Sequence, residues 1–149
     1  MLSKKIEKGN YRLMKIDTVC IIDDDPICVY GTKVLLNHNN FVGSNILVYE
    51  DGYEALVNLT SLLNTGQPLP EIIFLDLNMP VMNGWEFLDE FNKLSFTNKP
   101  KVYIVSSQFD LQEIEKGKSY DFVRDFISKP LIESKLASIF QNGIIKDEN

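Results

Sequence analysis

Five short, uninterrupted apolar runs, each followed by a stretch with helical spacing, constrain this chain more than any other feature. The runs are "TVCIID" (18–23), "NILVYE" (45–50), "IIFLD" (72–76), "KVYIVSS" (101–107) and "DFIS" (125–128). Side chains of a strand alternate between two faces, so a run without polar alternation predicts a strand covered on both sides. The segments between the runs repeat apolar residues every three or four positions. After the first run, Asp25 is the predicted N-cap and Pro26 the first helical position. Ile27, Tyr30 and Val34 mark one face of that helix, which should stop in "NHNN" (37–40). Ala55, Leu56, Leu59, Leu62 and Leu63 do the same within 51–66, and Phe87, Leu88, Phe91 and Leu94 after the third run. A short, polar helix around 110–118 carries Leu111 and Ile114, and the last helix uses Ile132, Leu136, Ile139 and Phe140. Strand then helix, five times over, predicts an α/β fold with a parallel sheet covered on both faces.

The 149 residues fit one domain. We expect residues 1–14 to be an N-terminal extension, 15–143 the domain and 144–149 a tail, with no DNA-binding or enzymatic output domain after it. A net charge of −6 argues against a nucleic-acid binder, which needs a basic face. No apolar run approaches membrane-spanning length. The basic N-terminus "MLSKKIEKGNYRLMK" lacks the apolar block of a signal peptide. Cys20 and Cys28 read as buried free thiols of a reducing compartment. The expectation is a cytoplasmic chain that binds neither nucleic acid nor membrane. His38, the only histidine, sits in a polar loop and is expected to face solvent.

Chemistry-bearing residues collect where the strands stop. The first run ends in Asp23, Asp24 and Asp25, the third in Asp76, the fourth in Ser106 and Ser107, and the fifth is followed by Lys129 and Pro130. In a parallel sheet all carboxyl ends share one edge, the edge where open α/β sheets bind ligands. Adjacent carboxylates repel, and a hard divalent cation relieves the repulsion. Mg²⁺ favours such a site, because it takes a few carboxylates and keeps positions for water and phosphate oxygens. Carboxylate, cation, hydroxyl and lysine together suit phosphoryl transfer, which needs positioning and charge neutralisation. Asp25 is better read as a helix cap than as a ligand.

Four stretches in order, "IIDDDP" (21–26), "FLDLNMPVMNGWEFL" (74–88), "VYIVSS" (102–107) and "DFISKP" (125–130), resemble the receiver domain of two-component response regulators. The resemblance spans about Lys15 to Asn142. It implies a flavodoxin-like, doubly wound five-stranded parallel sheet, order 2-1-3-4-5, with five helices. It implies that Asp76 is the phosphoacceptor, assisted by Ser106 and Lys129. Asp23, Asp24, Asp76 and the backbone carbonyl of Asn78 would hold Mg²⁺. Ser106 and Phe126 would form the switch, and Lys129-Pro130 a cis peptide. The implied donor is a histidine kinase or histidine phosphotransfer protein. The implied readers are a downstream protein target or, once phosphorylated, a second copy of the chain. The chain would be a stand-alone regulator and no enzyme, beyond catalysing its own phosphorylation and dephosphorylation.

A phosphate shuttle or sink stays open within that reading, as does a receiver-like binding module that takes no phosphoryl group. The last requires the loss of a key residue, and none is lost. A phosphatase of the haloacid dehalogenase type fits poorly. The third run continues as "DLN", and no acidic residue follows the fifth. The chain departs from the family before the fifth run, where "SYDFVRD" (119–125) is bulky and lacks glycine, and at Ser107, where alanine is common.

Overall fold

The computed structural model describes residues 4–8 and 11–148, and the side chains of 16–41 and 45–140. The elements are β1 (Lys4–Lys8), β2 (Tyr11–Ile22), α1 (Pro26–His38), β3 (Val42–Tyr49), α2 (Gly52–Asn64), β4 (Ile72–Leu75), α3 (Gly84–Asn92), β5 (Lys101–Ser106), α4 (Leu111–Lys118), β6 (Val123–Ser128) and α5 (Glu133–Glu148). Five strands pair in parallel in the order β3-β2-β4-β5-β6. Counted along the chain without β1, that is the expected 2-1-3-4-5.

The continuous apolar runs have a simple physical cause. Alternate residues of each strand enter two separate cores, one on each face of the sheet. Val19 and Ile21 of β2, Ile72 and Phe74 of β4, and Val105 of β5 join Leu36 of α1 and Leu136, Ile139 and Phe140 of α5. Cys20, Ile22, Ile73, Leu75, Val102 and Ile104 join Ala55 and Leu59 of α2 and Phe87, Leu88 and Phe91 of α3. A polar residue in the middle of a central strand would meet an apolar core whichever way it pointed. The bulky stretch before the fifth run is also core, since Tyr120 and Phe122 are buried and meet edge to face with ring centroids 5.8 Å apart.

Three local expectations differ from the structure. The first strand begins at Tyr11, well before Thr18, and its early part pairs antiparallel with β1, Ile6 opposite Leu13. This ribbon is held by backbone pairing, so it leaves no continuous apolar run to read. The last helix runs on to Glu148, into the tail expected at 144–149, and "GIIKDE" contains no proline to stop it. The third difference concerns α1. Its Ile27, Tyr30 and Val34 face solvent (81%, 71% and 45% exposed), and the helix buries Thr32 and Leu36 instead. Apolar residues surround this helix on every side, so hydrophobic spacing alone does not fix which side meets the sheet.

Candidate functional site

The carboxyl edge of the sheet carries the expected residues. β2 stops at Ile22, and Asp23 follows with its backbone N–H on the carbonyl of Tyr49 (3.0 Å). The chain then turns into α1. Asp25 caps the helix, its carboxylate accepting from the N–H of Ile27 (3.0 Å), as its place before Pro26 predicts. The N–H of Asp25 in turn donates to the carboxylate of Asp23 (2.9 Å), which holds that side chain toward the edge. β4 stops at Leu75, and Asp76 is held by its N–H on the carbonyl of Ile22 (2.9 Å). The following loop returns so tightly that a Cβ at Gly84 would stand 2.5 Å from the carbonyl oxygen of Asp76. Any side chain at 84 would displace the backbone that carries Asp76. Asn83 then caps α3 in a reciprocal box with Glu86.

The carboxyl groups of Asp23, Asp24 and Asp76 offer oxygen atoms all within 4.8 Å of one another. Asp23 and Asp76 are buried, and Asp24 is exposed at the rim. Lys129, just after β6, reaches between them, its Nζ 3.0 Å from Asp23 and 3.5 Å from Asp76. The Lys129-Pro130 bond is cis. Burial pushes the Asp76 carboxyl up to about 6, with the charge of Asp23 adding to it. Lys129 and the backbone N–H groups of Asn78 and Leu77 act in the other direction. Burial lowers the Lys129 ammonium, yet Asp23 and then Asp76 outweigh it and leave it raised.

One ammonium does not neutralise three carboxylates. The remainder is a compact set of hard oxygen donors with rim access, and that set fits Mg²⁺ on its own chemistry. Two residues after Asp76, Asn78 is exposed, and its backbone N–H donates to the Asp76 carboxylate.

Ser106 ends β5 next to this cluster and is fully buried. Its hydroxyl donates to the backbone carbonyl of Gln108 (2.9 Å), away from the carboxylates. Phe126 of β6 lies opposite Ile104 in the ladder and is half-buried on the α4 side. The sequence reading passed over two of its neighbours. Phe109 packs on it at a tilt of 54° with ring centroids 5.2 Å apart, and Gly117 of α4 sits over its edge. An isolated glycine inside a helix is the one signal that pointed to close packing there. A lone aromatic in a polar loop gave none. His38 is exposed and lies outside this cluster, as expected. No buried side-chain nitrogen or oxygen among the described residues lacks a hydrogen-bond partner. No helix among them is long and apolar enough to cross a membrane.

Comparison with known proteins places this geometry in a family. Residues 19–141 match the response regulator receiver domain. An uncharacterized response regulatory protein of Staphylococcus epidermidis is 31% identical over 121 residues, 81% of this chain and 44% of that protein. The transcriptional regulatory protein HptR of Staphylococcus aureus shows the same identity and the same shares. The chain therefore spans less than half the length of these relatives. The crystal structure of a two component response regulator from Cytophaga hutchinsonii superposes with a TM-score of 0.77 at 32% identity, covering 89% of this chain and 98% of that one. The match covers all five parallel strands, and the chain belongs to the response regulator receiver domain family.

Proposed function

We propose that this chain is a phosphoacceptor that takes a phosphoryl group onto Asp76 and signals through the surface beside β5 and β6. The convergence of Asp23, Asp24, Asp76 and Lys129 at one sheet edge carries the reading. A carboxylate oxygen of Asp76 attacks phosphorus on a phosphohistidine of the donor. The new P–O bond forms as the P–N bond breaks, and the imidazole leaves. Lys129 is placed to meet the phosphoryl charge, because its ammonium already lies against Asp76. Ser106 can donate to a phosphoryl oxygen once its hydroxyl leaves Gln108. Asp23, Asp24, Asp76 and the carbonyl of Asn78 would hold Mg²⁺. When bound, the ion supplies the positive charge that lets an anionic phosphoryl group approach three carboxylates. The chain catalyses its own phosphorylation and dephosphorylation and acts on no other substrate.

The donor is a histidine kinase or a histidine phosphotransfer protein. The apolar stripe of Ile27, Tyr30 and Val34 on α1 begins beside Asp25 and is left uncovered by the fold. A donor that buries this stripe would bring its phosphohistidine to the acceptor edge. Substituting Ile27 and Tyr30 with serine should slow transfer from a protein donor and leave labelling by a small-molecule donor unchanged. Equal loss with both donors would place the stripe in folding rather than docking.

The test of the central claim is mass spectrometry after incubation with Mg²⁺ and acetyl phosphate. The expected result is one base-labile phosphoryl group on wild type and none on Asp76→Asn. A chain that gains no phosphoryl group, or gains it equally with Asp76→Asn, would overturn the assignment.

A further inference from the structure

The loop between β5 and α4 is held in its resting position by two contacts of unlike chemistry. One is the hydrogen bond from the Ser106 hydroxyl to the Gln108 carbonyl. The other, one residue on, is the tilted ring contact of Phe109 with Phe126. The edge of the Phe126 ring lies close against Gly117. A Cβ at Gly117 would lie 2.5 Å from its Cζ and 3.6 Å from Cδ1 of Ile104, so the ring edge fills the space a side chain at 117 would need. Phe126 thus contacts both Phe109, immediately before α4, and Gly117, in its last turn. Asp110 caps the helix directly after Phe109, in a reciprocal box with Glu113. A movement of Phe109 is therefore transmitted to the first turn of α4 without an intervening flexible residue.

We propose that Phe109 is a positioning residue, a latch that keeps the loop and α4 at rest and sets how readily Asp76 can switch this face. The inference rests on the phosphoacceptor reading above. When Ser106 turns to the phosphoryl group, Gln108 loses its donor. The Phe109–Phe126 ring contact is then the one that still resists release of the loop. Whatever stability the ring contact gives to the resting arrangement is subtracted from the affinity of any ligand that favours the released one. Removing the ring should therefore ease switching rather than impair it. A role confined to folding predicts no such gain.

The molecule carries its own reporter. Trp85 is the single tryptophan. Lys116 of α4 lies over its ring at 4.5 Å, and Tyr120, just past α4, stacks on it at 6.4 Å. A shift of α4 changes the surroundings of this indole.

The experiment is a titration with beryllofluoride in Mg²⁺, followed by Trp85 emission and by amide NMR shifts of α4. Phe109→Ala should bind beryllofluoride several-fold more tightly than wild type. Before any ligand is added, its emission should already lie part-way to the wild-type bound spectrum. Phe109→Tyr keeps the ring and should behave as wild type. Gly117→Ala, which pushes Phe126 out of its seat, should act in the same direction. The double variant should gain no more than the larger single gain, since both break one contact. Unchanged or weaker binding by Phe109→Ala overturns the latch, as do fully additive gains. Absence of beryllofluoride binding by wild type would instead overturn the phosphoacceptor reading itself.

Discussion

Around Asp76, three carboxyl groups and an ammonium crowd into a space where Asp23 and Asp76 are nearly closed off from solvent. Around Phe126, at the same edge of the sheet, the contacts are between rings that stay half-exposed. The first region is electrostatically unsatisfied. Its carboxylates are aimed by backbone hydrogen bonds, and burial of Asp76 beside Asp23 resists full ionisation. The second is held by contacts between rings, and under the proposed switch its two arrangements need differ by only a few kcal/mol. A ligand that relieves the first region gains a large free energy. Under the proposed switch, a small part of that gain is enough to move the second.

The comparison can be broken at several points. The largest effect belongs to the nucleophile. Asp76→Asn should lower labelling by more than about a thousandfold, the scale on which loss of a covalent nucleophile is felt. Mass spectrometry of the intact chain reads it. Next is Asp24→Asn, which removes a rim oxygen from the cluster without touching the core. Mg²⁺ affinity should fall about a hundredfold, or ~2.7 kcal/mol, by titration. An unchanged affinity would remove Asp24 from the ligand set.

The electrostatic strain should itself be measurable without the cation. Asp76 binds its proton at about 6 in the folded chain, against 3.8 ordinarily. A raised carboxyl favours the fold fully below the unfolded value, and that contribution is lost as pH rises through 6. In EDTA, Asp76→Asn should match wild type near pH 4 and exceed it near pH 7 by about 2 kcal/mol. Denaturant unfolding at the two pH values measures this, and a constant difference would mean Asp76 is not strained by its neighbours.

Phe126→Ala sharpens the other side. It should cost about 2 kcal/mol of stability, less than a fully enclosed ring, and leave Mg²⁺ affinity unchanged. A loss of Mg²⁺ binding there would show that the two regions are one. The smallest effect should come from the far end of the molecule. A chain starting at Met14 loses β1 and the beginning of β2, but keeps the residues of β2 that pair with β3 and β4. Its stability should stay within about 0.5 kcal/mol of the full chain, with labelling unchanged. Collapse of that chain would place the extension inside the folded unit.

Much of the acceptor edge was legible before the fold was known. An uninterrupted β-branched run marks a doubly covered strand, and parallel connection sends every such strand to the same edge. Asp23, Asp76, Ser106 and Lys129 therefore had to meet, although 106 positions separate the first from the last. Asp25 was legible as a cap because the residue after it is proline. What escaped was anything set by rotation or by long-range contact. The outward turn of Ile27, Tyr30 and Val34 depends on how α1 docks on the sheet beside α5, and a helix apolar on all sides carries no record of that choice. The ribbon of β1 and β2 is made by backbone groups that every residue possesses. Phe109, Phe126 and Gly117 come from a loop, a strand and a helix, and no local pattern names such a trio. The sequence by itself determined which residues stand at the end of each strand, because burial on both faces dictates composition residue by residue. Only the tertiary structure decided which side of a helix is left for partners and which rings touch, because those follow from the relative placement of elements already formed.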